Sequence, residues 1–291
     1  MRPWKHRAER GSAWLIRLIA WLARTAGRPF CRILLYPIVL YFVLTDPVAR
    51  RASREFLSAA TGRPARWVEV FAHLYSFAST LLDRVYLAAG EFHRFHISVE
   101  GDALVRDALE SGKGCLLLGS HLGSFDLMML ANKAFKGLPV NILMYFDTRS
   151  RVRQIAGIDD SRYRIIPLGQ PDSFLRAYEL LKEGEIVAAL ADRVDGSSAR
   201  LDSSFLGRSA SFPLGPHVLA ARADVPVILF FGLYEGGANY RIQFAKFGPA
   251  APANSRRAML QGVVDRYASL LEQVARRHPK NWFNFYPYWA K

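Results

Sequence analysis

His121 and Asp126, in the stretch Ser120-His121-Leu122-Gly123-Ser124-Phe125-Asp126, are the residues of this chain best suited by type and spacing to acid–base chemistry. A carboxylate bonded to one imidazole nitrogen fixes the tautomer and leaves the other nitrogen able to take a proton from a hydroxyl. On one straight helix this spacing subtends about 500°, which turns the two side chains apart. The chain must therefore bend between them. Gly123 supplies the bend and Ser124 an N-cap, and Asp126 then falls in the first turn of a helix over residues 125–135, where the helix dipole favours the ionised carboxylate. The bland alternative makes Asp126 a favourable first-turn acid and His121 a loop histidine bonded to backbone.

The elements that must position this pair follow from periodicity. Cys115–Gly119 is a short apolar run bounded by glycines and reads as a buried strand ending two residues before His121. Further strands are expected at 95–99, 140–146, 163–168, 186–191, 225–233 and 240–247, and helices at 66–89, 103–110, 125–135, 173–182, 215–222 and 255–278. Strands alternating with helices of this kind predict an α/β fold, a central largely parallel sheet flanked by helices, with an N-terminal helical membrane-associating segment. In such sheets ligands meet the carboxyl ends of the strands. His121, Ala191-Asp192-Arg193 and Tyr145-Phe146-Asp147 all occupy strand ends of that sort and are expected to converge.

Composition bounds the partners. The chain of 291 residues carries a net charge of +14, and residues 1–54 hold eleven Lys and Arg against Glu9 and Asp46 alone. This leader is also strongly apolar, a combination that favours a lipid surface over nucleic acid. The run Ile33–Leu44 reaches only about 18 Å, short of the roughly 30 Å hydrocarbon core, so alone it does not span. Arg17, Arg24, Arg28 and Arg32 form a stripe on one helical face, which predicts an interfacial or hairpin anchor. A core helix of a soluble protein is the alternative, and no signal-peptide cleavage pattern follows the run. We divide the chain into a basic, apolar membrane-associating segment, 1–60, and a catalytic domain, 61–291. Helix 66–89 is expected to pack the one on the other. Cys31 and Cys115 lie in apolar surroundings without metal-ligand spacing and read as buried thiols.

With His121-x4-Asp126, the Asp192-Arg193 strand end and the later Phe205-Leu206-Gly207-Arg208-Ser209-Ala210-Ser211-Phe212-Pro213-Leu214-Gly215-Pro216 in view, the chain resembles the lysophospholipid acyltransferase superfamily. Within it, Gly112-Lys113-Gly114 before the strand, His121-Leu122-Gly123 after it and the tail Trp282-Phe283-Asn284-Phe285-Tyr286 are most similar to the lipid A biosynthesis lauroyl/myristoyl acyltransferase branch. The resemblance covers most of the chain and is sharpest from Ser111 to Phe231. It implies transfer of a fatty acyl group from an acyl carrier protein or coenzyme A thioester to a hydroxyl of a membrane lipid, without a cofactor or metal. His121 is then the general base and Asp126 its supporting acid. The branch usually carries glutamate where Asp126 stands, whereas glycerolipid-acylating members carry aspartate, and a proline commonly stands where Ala191 does. The acceptor class therefore stays open between a glycolipid and a glycerophospholipid.

Other residues carry weaker signals. Arg149, Arg151, Arg153 and Arg193 are the candidates for an acceptor-phosphate arginine, and Arg193 is equally well read as half of a structural ion pair with Asp192. Gly123 and Ser124, with Gly207 and Phe212, are candidate substrate contacts, the last two as walls of an acyl-chain slot or as parts of a buried loop. Backbone donors near Gly123 or Gly207 are candidates for an oxyanion hole. The terminal aromatics suit a bilayer interface or cover the sheet edge, with their density favouring the membrane. His217 and His278 read as surface or helix-end histidines. Two rivals to an acyltransferase remain: a hydrolase using Ser120 or Ser124, which lacks the Gly-x-Ser-x-Gly elbow, and a non-catalytic membrane lipid-binding protein of the same fold.

Overall fold

The computed structural model describes residues 21, 25–124, 127, 140–144, 163–194, 198–248 and 254–289. Asp126, Arg149, Arg151, Arg153, Asp147, nearly all of the expected helix 125–135 and the first twenty residues lie outside them.

The sheet is built from β1 (His96–Glu100), β2 (Cys115–Gly119), β3 (Val140–Met144), β4 (Tyr163–Pro167), β5 (Ile186–Leu190), β8 (Val227–Gly236) and β9 (Asn239–Phe247), in the order β1-β9-β8-β2-β5-β3-β4. Every neighbouring pair is parallel except the hairpin β8–β9. β2 is central and buried along its whole length, which explains why its sequence is uniformly apolar instead of alternating. A separate two-stranded ribbon, β6 (Arg200–Phe205) and β7 (Arg208–Pro213), turns at Leu206-Gly207 with both residues at positive φ, 55° and 76°. The sequence reading placed a loop here.

Helices cover the sheet: α1 (Gly27–Thr45), α2 (Pro47–Thr61), α3 (Trp67–Ala88), α4 (Ala103–Glu110), α5 (Ser173–Lys182), α6 (Leu214–Arg222) and α7 (Arg256–Arg277). Asp46 caps α2 by accepting from Val48 and Ala49 N–H, and Gly62 closes it in the left-handed conformation that suits glycine. As expected, α3 joins the N-terminal helices to the sheet. α1 lies along α3 through Tyr36 against Phe71 and Tyr75, and its inner residues Cys31, Leu35, Val39 and Val43 are buried.

A charged knot fixes α1 in place. Arg28 forks onto Asp83 of α3 with Nε and Nη2 at 2.7 and 2.8 Å, and the Asp83 carboxylate also accepts the Tyr240 hydroxyl at 2.7 Å. Arg32 donates to the Tyr234 hydroxyl at 2.7 Å, and both arginines reach the Gly237 carbonyl at the β8–β9 turn. Asp83 is fully buried, so its charge is tolerable only with this set of donors.

Candidate active site

His121 follows β2 by two residues, at the carboxyl end of the parallel strands. Its position depends on two glycines. Gly123 sits at φ +88°, and a Cβ there would lie 2.1 Å from the Gly232 carbonyl oxygen. A Cβ on Gly232 would in turn lie 2.2 Å from the Ser124 carbonyl. Their absence lets the two backbones meet, and Ser124 N–H donates to Gly232 C=O at 2.7 Å.

Asp192, two residues past the β5 end and fully buried, faces His121 from the neighbouring strand. Its Oδ1 accepts from imidazole Nδ1 at 2.9 Å, and its Oδ2 accepts the His121 backbone N–H at 3.0 Å. Because a carboxylate only accepts, Nδ1 carries the hydrogen and Nε2 keeps its lone pair. Nε2 takes no hydrogen bond among the described residues, and the His121 side chain remains 28% exposed. Burial and the Arg193 charge hold His121 below its ordinary pKa against the opposing pull of Asp192, so the ring is neutral near neutral pH. Burial alone would raise Asp192, but the charge and hydrogen bond of His121, with Arg193, hold it below the usual carboxylate range. A neutral imidazole held through one nitrogen can serve as a general base through the other.

The residues after α7 close over this pair. Asn281 C=O accepts Gly123 N–H at 2.6 Å, and Phe283 N–H donates to His121 C=O at 3.0 Å. The Tyr288 hydroxyl donates to Asp192 C=O at 2.9 Å, and Arg193 donates through Nη2 to Phe283 C=O at 2.9 Å and through Nε to Asn284 Oδ1. The Asn284 amide also donates to Asp192 Oδ2 at 3.4 Å. The terminal aromatics therefore face inward, contrary to the membrane-interface expectation. Trp282 is fully buried between Phe56 and Phe205, and Phe283 and Phe285 stack with His73 and Phe77. His73 takes part as well, bonding Trp282 C=O through Nε2 at 2.7 Å and Ser53 through Nδ1 at 2.9 Å.

Of the residues expected at the site, His121, Gly123, Ser124, Asp192 and Arg193 come together. The Gly123 N–H, proposed as an oxyanion donor, is already given to Asn281. Gly207 forms the exposed turn of the β6–β7 ribbon, while Phe212 is sealed against Phe205, His217 and Tyr267. His217, read as a surface or helix-end histidine, lies near the start of α6 and is buried, with Nδ1 donating to Pro213 C=O at 2.7 Å. Asn281, Asn284 and Tyr288 were missed. Their signal was the presence of two amides inside an otherwise aromatic run, since a polar side chain in such a run needs a buried partner. A groove of about 700 Å³ lined by Leu104, Lys113, Val225, Lys246 and Met259 opens at the opposite, amino-terminal end of β2 and β8, away from this chemistry.

A profile of bacterial lipid A biosynthesis acyltransferases matches residues 14–291. The chain belongs to that family. Among curated proteins no relative matches it. Members of the family are acyltransferases of lipid biosynthesis, so an acyl donor and a lipid acceptor are the substrates to be accommodated. The resemblance seen in the sequence and the sheet-end histidine thus agree on the reaction class.

Proposed function

We propose that this acyltransferase moves a fatty acyl group from a thioester of acyl carrier protein or coenzyme A to a hydroxyl of a lipid A-type glycolipid, at the cytoplasmic face of the inner membrane. The observation that carries the chemistry is the His121–Asp192 pair, with Nδ1 held at 2.9 Å and the histidine side chain 28% exposed at the sheet end. Nε2 takes the acceptor hydroxyl proton, and the oxygen attacks the thioester carbonyl carbon to give a tetrahedral intermediate. The carbon–sulfur bond then breaks, and the imidazolium returns its proton to the leaving thiolate. Asp192 stabilises the imidazolium formed in between. Asp126, the acid of the His-x4-Asp motif, serves in this proposal as a second carboxylate favouring that cation.

Membrane attachment is supported by the outer face of α1. Phe30, Ile33, Leu40, Tyr41 and Leu44 are exposed on it at helical spacing, away from the buried inner stripe, so the helix is apolar on both sides. An exposed apolar patch of that extent marks an interaction surface, and a membrane is the one proposed here. The start of α3 adds exposed Trp67 and Val68, and exposed Arg51, Arg54, Arg63 and Arg66 supply positive charge for anionic headgroups.

The aspartate at 126 favours a second reading of the acceptor, a glycerophospholipid. Both acceptors separate the readings in one assay: purified enzyme with lauroyl-coenzyme A and either tetraacylated lipid A precursor or lysophosphatidic acid, with His121→Ala in parallel. Acyl transfer to the glycolipid, abolished in His121→Ala, is the expected result. Transfer to lysophosphatidic acid alone replaces the acceptor, and full activity of His121→Ala removes the mechanism.

A further inference from the structure

Asn284 is buried, at 2% exposure. What it touches are the two charged neighbours of His121. Its Nδ2 donates to Asp192 Oδ2 at 3.4 Å and its Oδ1 accepts Arg193 Nε. The orientation of the amide is dictated by these partners, because the flipped form would turn NH2 toward the guanidinium and oxygen toward the carboxylate. Among side chains of this size only asparagine donates to one charge and accepts from the other while remaining neutral. Aspartate offers no donor, leucine offers neither, and glutamine needs room for another methylene in a filled site.

The segment around it confirms that this contact is part of a larger clamp. Within four residues, Asn281 holds Gly123 N–H, Phe283 holds the His121 carbonyl and the Arg193 guanidinium, and Asn284 holds Asp192 and Arg193. The Asn281 side chain is itself locked by Tyr234, accepting its N–H at 2.7 Å and donating to its C=O at 3.1 Å. The Arg193 guanidinium also lies over the Tyr286 ring, 5.6 Å from its centre.

Building on the general-base reading above, we propose that Asn284 is a positioning residue that fixes Asp192 and Arg193 side by side and thereby sets the orientation and proton affinity of His121. Among the described residues, the charges facing His121 are Asp192 and Arg193 from the end of β5 and Arg84 from α3, and Tyr267, Tyr286 and Tyr288 face Asp192 from α7 and the tail. Asn284 is the neutral link between the carboxylate and the guanidinium. An added negative charge at this position favours the imidazolium, whereas an apolar group releases Arg193 without changing the charge.

The test uses the full-length enzyme with lauroyl-coenzyme A and tetraacylated lipid A precursor in detergent micelles. Asn284→Asp is expected to move the acidic limb of kcat/KM upward by about one pH unit. Asn284→Leu is expected to lower kcat by about 10–100-fold with KM little changed, because His121 loses its orientation and substrate contacts do not. A limb that stays in place in Asn284→Asp, or wild-type kcat in Asn284→Leu, overturns the proposal. Should both variants fail to fold, Arg193→Lys keeps the charge and removes the Nε donor. A lower kcat at unchanged KM then supports the proposal, and wild-type kcat overturns it. His121→Ala run alongside tells which reading has failed: an active His121→Ala enzyme sinks the general base, while an inactive one beside wild-type Asn284 variants sinks only the positioning role.

Discussion

Asp192→Asn is the substitution that most directly questions the site. In the native arrangement the Asp192 carboxylate receives three donors, the His121 imidazole at 2.9 Å, the His121 backbone at 3.0 Å and the Asn284 amide at 3.4 Å. An asparagine of the same shape has one accepting atom for them and presents an NH2 to at least one donor. If that NH2 meets Nδ1, the ring shifts its hydrogen to Nε2 and no longer has a lone pair for the acceptor hydroxyl. The imidazolium also loses its counter-charge. In a catalytic histidine held the same way, this change costs about 10⁴-fold in kcat, or about 5 kcal/mol of transition-state stabilisation. We expect a loss on the order of 10³–10⁴-fold here, at little change in KM. The assay is single-turnover transfer of labelled lauroyl from coenzyme A, followed from pH 5 to pH 9, with circular dichroism and thermal unfolding to verify the fold. A variant that folds as the native enzyme does and keeps more than a tenth of its rate across that range would refute the general-base arrangement built on Asp192.

Three further outcomes are expected. Replacing Ile33, Tyr41 and Leu44 together by serine removes outer-face apolar surface without touching the inner stripe, and should release the protein from anionic vesicles in a flotation assay while leaving its thermal unfolding unchanged. Asp83→Ala leaves the Arg28 guanidinium without its carboxylate and the Tyr240 hydroxyl without its acceptor, and should destabilise the fold by about 3–5 kcal/mol in chemical denaturation. Burial pushes His73 and His217 down to about 4. Folded pKa values below the ordinary value mean that their stabilising effect is complete above about pH 6.5 and is lost as the pH falls toward 4, by about 2 kcal/mol each at pH 5. Unfolding midpoints measured against pH should show that acid loss, and His217→Gln should reduce it.

The parts of this fold legible in the sequence were those decided by local pattern. β2 was bounded by glycines and uniformly apolar, and α4 and α5 showed an amphipathic period, so their ends matched the sequence reading. The β6–β7 ribbon was not legible, because its outward residues are short and polar and its turn uses Leu206 at positive φ, a conformation leucine seldom adopts. The tail aromatics were misjudged for a related reason: composition records that Trp282 and Phe283 are apolar, not which surface buries them. Most instructive is the acid on His121. The local motif offers Asp126, which lies outside the described residues, whereas Asp192 reaches Nδ1 from 71 positions away through the parallel pairing of β2 and β5. Sequence spacing carries no record of such a meeting; strand order does.

The knot of Arg28, Asp83 and Tyr240 makes α1 a mount instead of a leash. A flexible tether would let the cleft wander, but a helix bolted to both α3 and the β8–β9 turn holds His121 at one fixed height and tilt relative to the exposed apolar face of α1. On the membrane attachment proposed above, selectivity among acceptor hydroxyls becomes partly a matter of altitude: only those that the bilayer presents at that level would meet His121.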